Sequence, residues 1–125
     1  MLIQIAGPGT FAVEVVGVSR RQDALIDIVE RHGRSGRTLS VDAQLVPENS
    51  NPHDPNAVRV EIDGGLIGYL SRDNAARYRA DLTAAGTPDA IVQCKARIVG
   101  GFGTLSGERA SFGVRLDLPP MEASA

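Results

Sequence analysis

His53 and Asp54 are neighbours in a turn-rich segment, and a histidine beside a carboxylate can transfer protons or help to hold a metal ion. The sequence offers this pair no second histidine at metal-ligand spacing and no serine or cysteine placed as a nucleophile. Aspartate and asparagine side chains in such turns usually accept hydrogen bonds from their own backbone. The pair therefore predicts a loop that is held by hydrogen bonds from its own side chains, with catalysis as the weaker alternative.

Two glycine-rich segments, GPG at residues 7–9 and GGFGTLSG at residues 100–107, have the composition of phosphate-binding loops. The second lacks the G-K-[ST] ending of a P-loop, and it does not lead from a predicted strand into a helix. The first is a bend near the N-terminus. We therefore expect no nucleotide cofactor, no other cofactor and no metal ion.

Cys94 is the single cysteine, which excludes an internal disulfide and a zinc site built from cysteines. Its neighbours alternate between apolar and polar residues, so we expect a buried strand residue rather than a reactive thiol. No apolar run approaches the roughly 20 residues that cross a bilayer, and the N-terminus has no secretory signal pattern. These features favour a cytoplasmic protein that does not contact a membrane.

Three polar clusters are candidates for one nucleic-acid site, since each lies where a strand gives way to a loop or helix. They are Ser19, Arg20 and Arg21; Asn51, His53 and Asp54; and Tyr69 and Arg72. Helix-start amides, arginines and an aromatic ring together suit a phosphate and a stacked base. The net charge is -2, so such binding would depend on a local basic patch. The alternative is that the arginines are solvated and Tyr69 lies in the core.

Six strands and two helices are predicted to position these clusters. Alternation places the strands at residues 10–18, 39–46, 57–62, 66–70, 90–99 and 110–118, and the helices at residues 19–32 and 71–85. Ser19 and Gln22 have the spacing of a capping box, and Gly33 and Ser71 are predicted helix caps. Asp63 and the glycines after it predict a tight hairpin. Because helices follow only the first and fourth strands, we expect a mainly β fold, a small antiparallel barrel or curled sheet.

The order of these segments resembles that of HIRAN domains over about residues 11–118. The most specific part is N-P-x-D-x-N-A-V-x-V at residues 51–60, followed by G-Y-L at residues 68–70, with V-V-G at residues 15–17 ahead of them. The resemblance implies a six-stranded, OB-like small antiparallel barrel with two helices. Residues 1–10 would then be an N-terminal extension, and residues 119–125 a disordered tail or linker.

The resemblance also implies recognition of single-stranded DNA, with affinity for a free 3′-hydroxyl end, in DNA repair or replication-fork processing. HIRAN domains accompany SNF2-class fork-remodelling helicases, and in bacteria they stand alone or are fused to nucleases or helicases. A helicase or nuclease partner, no enzymatic activity of its own and association with the nucleoid are therefore expected. The alternative is a protein-interaction or targeting module with the same fold.

Position by position, the resemblance implies that Asp54 accepts a hydrogen bond from the terminal hydroxyl. Tyr69 and Arg72 would line the pocket and contact phosphate, and His53 would stack on the terminal base. Four further positions are assigned to DNA binding, namely Asn51, Ser19, Arg20 and Arg21, to which the GGF element adds Phe102. The helicase domain carries an arginine and two tyrosines where this chain has Ser19, Arg20 and Arg21, so an arginine would replace aromatic stacking here.

Overall fold

The structure, a computed structural model, describes residues 2–33, 38–101 and 111–119. These residues contain seven strands and two α-helices. The strands are β1 Leu2–Gln4, β2 Val13–Glu14, β3 Thr38–Pro47, β4 Val58–Ile62, β5 Gly65–Tyr69, β6 Ile91–Val99 and β7 Gly113–Leu116. The helices are α1 Gln22–His32 and α2 Arg72–Ala84, and a short 3-10 helix, Val18–Arg20, precedes α1. The predicted number and order of helices are confirmed.

One antiparallel sheet, in the strand order β2-β7-β6-β3-β4-β5, curls round the core. Just after β2, Val16 exchanges two backbone hydrogen bonds with Tyr69 at the end of β5, at 2.8 and 2.9 Å between nitrogen and oxygen. We call this contact the closing bridge, because it joins the two edge strands of the sheet. The mainly β fold with two helices, curled as a small OB-like barrel, is confirmed.

Alternate residues of the strands face inward, as the sequence pattern predicts. In β3, for example, Val41, Ala43 and Leu45 are buried, while the residues between them face outward. Leu25 and Ile28 of α1 join the same apolar core, as do Ala75, Tyr78 and Leu82 of α2. Neither helix is long and apolar enough to cross a membrane, in the part of the chain described.

The first predicted strand is shorter than expected. Instead of residues 10–18, only Val13–Glu14 are strand, and the backbone leaves the strand conformation on either side, at Phe11 (φ 47°) and Gly17 (φ 79°). The carboxylate of Asp117 accepts hydrogen bonds from the backbone N–H of Gly9 at 2.8 Å and of Phe11 at 3.5 Å. A partner more than 100 residues away thus shapes the segment, and local alternation cannot reveal it.

The N-terminal segment contributes a strand that the sequence pattern did not predict. β1 runs parallel to β6, with Leu2 opposite Ile91 and Gln4 opposite Gln93. Ile3 and Ile5 are half-buried against the core. The expected extension over residues 1–10 therefore adds a seventh strand to the sheet.

The predicted capping box at the start of the first helix is wrong. The helix begins at Gln22, its N-cap is Arg21, and no side chain caps it. The side-chain amide of Gln22 instead accepts from the backbone N–H of Phe112 at 2.8 Å and donates to the carbonyl oxygens of Phe112 and Val18. Gln22 therefore ties the start of α1 to Phe112, the residue before β7. The caps at Gly33 and Ser71 are confirmed.

Cys94 is buried in β6, which confirms its prediction as an inward-facing strand residue. Burial, followed by the nearby charges of Asp117 and Asp42, raises the pKa of its thiol to about 12. Because the thiolate is the reactive form, we expect the native protein at pH 8 to react with a disulfide reagent such as DTNB at least ~100-fold more slowly than the protein in 6 M guanidinium. Equal rates in both conditions would contradict this burial.

Candidate nucleic-acid interface

A row of directly opposed residues crosses the outer face of the barrel at the closing bridge. Val16 lies opposite Tyr69, Tyr69 opposite Arg59, and Arg59 opposite Val46. Opposed residues in antiparallel strands share a face, with Cβ atoms about 5 Å apart. The row therefore brings the end of β2, which leads to the first polar cluster, next to the strand that carries Tyr69.

Gly68 permits this close approach of β5 to the end of β2. A Cβ atom at Gly68 would lie 2.6 Å from the Val16 carbonyl oxygen and 2.6 Å from a methyl group of Val15. Such distances are well inside van der Waals contact. The glycine of the G-Y-L motif thus has a packing role, while the tyrosine beside it faces outward.

Residues 48–56, which we call the interface loop, are shaped by their own side chains. The Oδ1 atom of Asn51 accepts from the backbone N–H groups of His53 at 2.8 Å and Asp54 at 3.1 Å. Oδ1 of Asp54 in turn accepts from the backbone N–H of Asn56 at 2.9 Å. The prediction that Asn and Asp bond their own backbone here is confirmed, and the loop is fixed before any ligand arrives.

Glu48 connects the interface loop to the outer face of the barrel. Its carboxylate accepts from Nδ2 of Asn51 at 2.9 Å and from the hydroxyl of Tyr69 at 3.3 Å, and it lies 3.6 Å from Nε of Arg59. Burial, followed by the charge and hydrogen bond of Glu48, raises the pKa of Tyr69, while the charges of Arg59 and Arg21 oppose the shift. Tyr69 is thus held as a neutral hydroxyl that donates to Glu48.

Sequence reasoning missed Glu48, although the alternation contains a signal for it. β3 buries Ala43 and Leu45, so Glu48 continues the outward series of this strand. Its backbone N–H donates to the carbonyl of Ala57 at 2.8 Å, which extends the β3–β4 ladder past Pro47. An acidic residue on the face that also carries Arg59 is a candidate ion-pair partner.

Arg72, at the start of α2, reaches the interface loop. Its Nη2 atom donates to the backbone carbonyl of His53 at 2.9 Å. The hydroxyl of Ser71 accepts from the backbone N–H of Asn74 at 3.2 Å and so fixes where α2 begins. The structure thus brings the second and third predicted clusters together, and it uses one N–H group of Arg72 to hold the loop.

The first cluster follows the closing bridge directly. Ser19, Arg20 and Arg21 are exposed in and after the short 3-10 helix. Arg21 lies between this 3-10 helix and α1, as the residue before Gln22. The remaining predicted site residue, Phe102, lies outside the described residues.

Several charged groups at this face are not neutralised or fully hydrogen-bonded by the described part of the chain. Arg20, Arg21 and Arg72 form no ion pair there, and Oδ2 of Asp54 accepts no hydrogen bond. Asn51, by contrast, uses both ends of its amide within the loop. No group of three His, Cys, Asp or Glu side chains that could hold a metal occurs among the described residues. The face thus offers one carboxylate oxygen without a donor, on Asp54, and Arg72 is anchored at the preceding residue.

Comparison with known proteins identifies the family of this chain. The family model of the HIRAN domain matches residues 8–97, a stretch that includes the interface loop, Tyr69 and Arg72. Among solved structures, the crystal structure of the HIRAN domain of human HLTF is similar, at 16% identity and a TM-score of 0.29, over 66% of this chain and 81% of that one. No curated protein matches the chain. The family model covers well over half of the sequence, and the chain therefore belongs to the HIRAN domain family.

Proposed function

We propose that this HIRAN domain binds single-stranded DNA and recognises its free 3′-hydroxyl end at the interface loop. The family is one of DNA-binding modules. The observation that carries the proposal is the state of Asp54: turn hydrogen bonds fix its backbone and Oδ1, and Oδ2 accepts none from the described residues. A fixed carboxylate oxygen with an open lone pair suits a hydroxyl donor.

The same carboxylate supplies discrimination between DNA ends. A terminal hydroxyl donates to Asp54, whereas a terminal phosphate places a second negative charge against it. The turn hydrogen bonds strengthen this contrast, because they keep the carboxylate from turning away from a terminal phosphate. The expected specificity is therefore for the chemical state of the strand end rather than for base sequence.

The exposed arginines Arg20, Arg21 and Arg72 would hold the phosphates next to that end. Arg72 has N–H groups beyond the one bonded to His53, and Arg20 and Arg21 follow Val16 of the closing bridge by four and five residues. Guanidinium groups bind phosphate through paired N–H donors and also stack on bases. His53 is exposed and offers a ring to the terminal base.

Replacing Asp54 with asparagine tests the proposal, since asparagine keeps an Oδ1 acceptor for the turn and removes the charge. We expect the wild-type domain to bind an octanucleotide with a 3′-hydroxyl about 10-fold more tightly than the same strand with a 3′-phosphate. In Asp54→Asn that ratio should fall toward one, mainly through tighter binding of the phosphate form. Fluorescence anisotropy at low salt measures both affinities, and Asp73→Asn, at an exposed position of α2, is the control. The proposal would be contradicted if the wild type bound the 3′-hydroxyl and 3′-phosphate strands equally, or if Asp54→Asn kept the whole preference for the 3′-hydroxyl strand.

The role is one of binding without catalysis, within DNA repair or fork processing and beside a helicase or nuclease. A protein-interaction module with the same fold would need an extended apolar surface. In the described part of the chain, the exposed large apolar side chains are Leu2 and Val16, and Val16 belongs to the candidate interface itself. The surface therefore favours the nucleic-acid ligand.

A further inference from the structure

Arg97 and Arg115 form a pair of like charges on the outer face of the barrel. They lie directly opposite each other on β6 and β7, and the residues on either side of each are buried. Like charges directly opposite in an antiparallel ladder destabilise the sheet. We call these two residues the arginine pair.

No carboxylate of the described residues neutralises the arginine pair. Glu14 of β2 lies opposite Arg115 in the register but forms no ion pair with it. The guanidinium of Arg97 instead lies over the ring of Phe11, 4.0 Å from its centroid. Because stacking leaves the N–H edges of a guanidinium available, Arg97 is held in place without losing its donors.

Residues 13–16 connect the arginine pair to the candidate interface. Val16 is opposite Tyr69, while Glu14, two residues earlier and on the same outward face, is opposite Arg115. With strands about 4.8 Å apart and a rise of about 3.3 Å per residue, the path over the surface from Tyr69 to Arg97 is about 20 Å. OB-type barrels contact about 4–16 nucleotides of a single strand. A strand whose 3′ end lies at the interface loop would therefore also contact the barrel through nucleotides several positions inward from that end.

We propose that the arginine pair binds backbone phosphates of the single strand, several nucleotides inward from the end held at the interface loop. This inference rests on the proposed function. A phosphodiester has one negative charge and two acceptor oxygens, which match a guanidinium fork. A phosphate between the two arginines also relieves their mutual repulsion. The domain would then grip a strand at two places, its end at Asp54 and its backbone at the arginine pair.

Length dependence separates the two places. The experiment uses 3′-hydroxyl dinucleotides and octanucleotides, with the full chain and the double variant Arg97→Gln/Arg115→Gln. We expect the double variant to bind the octanucleotide at least ~10-fold more weakly, with dinucleotide affinity unchanged and with the salt slope reduced by about 1.4 for two lost phosphate contacts. The control is Arg31→Gln/Arg77→Gln on the helices, which removes the same charge and should change neither affinity more than ~2-fold.

The outcomes of this experiment also distinguish the present proposal from the proposed function. Unchanged octanucleotide binding in the double variant, or an equal loss in the control, would overturn the role of the arginine pair and leave end recognition standing. Polyglutamate serves as a further ligand: if the double variant loses affinity for polyglutamate but binds the octanucleotide normally, the pair binds an acidic polypeptide and the proposal is overturned equally. If the wild type ignores the state of the 3′ end but the double variant still loses octanucleotide binding, the arginine pair is supported and end recognition fails. Absence of any wild-type binding at low salt overturns both.

Discussion

Replacing Gly68 with alanine is expected to lower the free energy of unfolding by about 3 kcal/mol, as overpacking in a closed core does. The new methyl group would lie 2.6 Å from the carbonyl oxygen of Val16, which is backbone and cannot rotate away. Relief of the clash requires β5 to move from Val16, and that movement breaks the hydrogen bonds of the closing bridge. Urea denaturation followed by circular dichroism measures the change.

Gly65→Ala is the matched control, because this glycine lies in the same strand. A Cβ atom at Gly65 would meet only the Ile62 carbonyl oxygen, at an ordinary 3.7 Å. We expect its free energy of unfolding to change by less than about 0.5 kcal/mol. If both alanine variants lose the same stability, the loss is a general effect of adding a methyl group to this strand and does not come from the clash at Gly68.

Glu48→Ala is expected to weaken binding of a 3′-hydroxyl octanucleotide by at least ~10-fold and to lower the free energy of unfolding by about 2 kcal/mol. The substitution removes the acceptor of Asn51 and Tyr69, and with it the tie between the interface loop and the barrel. Asn51 holds the backbone of Asp54, so the loss should reach the carboxylate that we propose binds the strand end. Anisotropy and urea denaturation provide the two measurements.

Glu61→Ala is the control for Glu48→Ala, since Glu61 also pairs with Arg59, at 2.8 Å, but has no bond to the interface loop. We expect its DNA affinity to stay within ~2-fold of the wild type. Glu48→Gln adds a spectroscopic readout. The negative charge of Glu48 opposes ionisation of the Tyr69 hydroxyl, so its removal should lower the pKa of Tyr69 in an ultraviolet titration. An unchanged pKa of Tyr69 in Glu48→Gln would contradict the interaction between these two residues.

Much of the fold follows from short-range patterns in the sequence. Alternation identified β3, β4 and β6 closely, because each of these strands has one more buried and one more exposed face. The hairpin at Asp63 was equally readable, since Asp63 and Gly64 both take positive φ and a two-residue turn requires it. The Asx turns of the interface loop also depend only on near neighbours, so the position of Asp54 was predictable.

The remaining features depend on partners far away in the chain. Phe11 leaves the strand conformation because of Asp117, and Gln22 bonds to Phe112 across 90 residues rather than to Ser19. Both side chains are ordinary helix-start or loop types in the sequence, and nothing local marks their partners. The role of Glu48 was hidden for the same reason, because its contacts to Tyr69 and Arg59 exist only once three strands have paired.

Because of the closing bridge, the strands of the barrel are not held together equally strongly around its circumference. β3 and β6 are joined along eight residue pairs, whereas the two edge strands meet at the single pair Val16 and Tyr69. Local opening of a protein begins where the fewest backbone hydrogen bonds must break, so the seam should exchange its amide protons first. The proposed ligand lies across that seam, from the interface loop to β7. Bound DNA would then hold the two edge strands together. The protection of the seam's amide protons against exchange would therefore measure the fraction of the protein that has DNA bound.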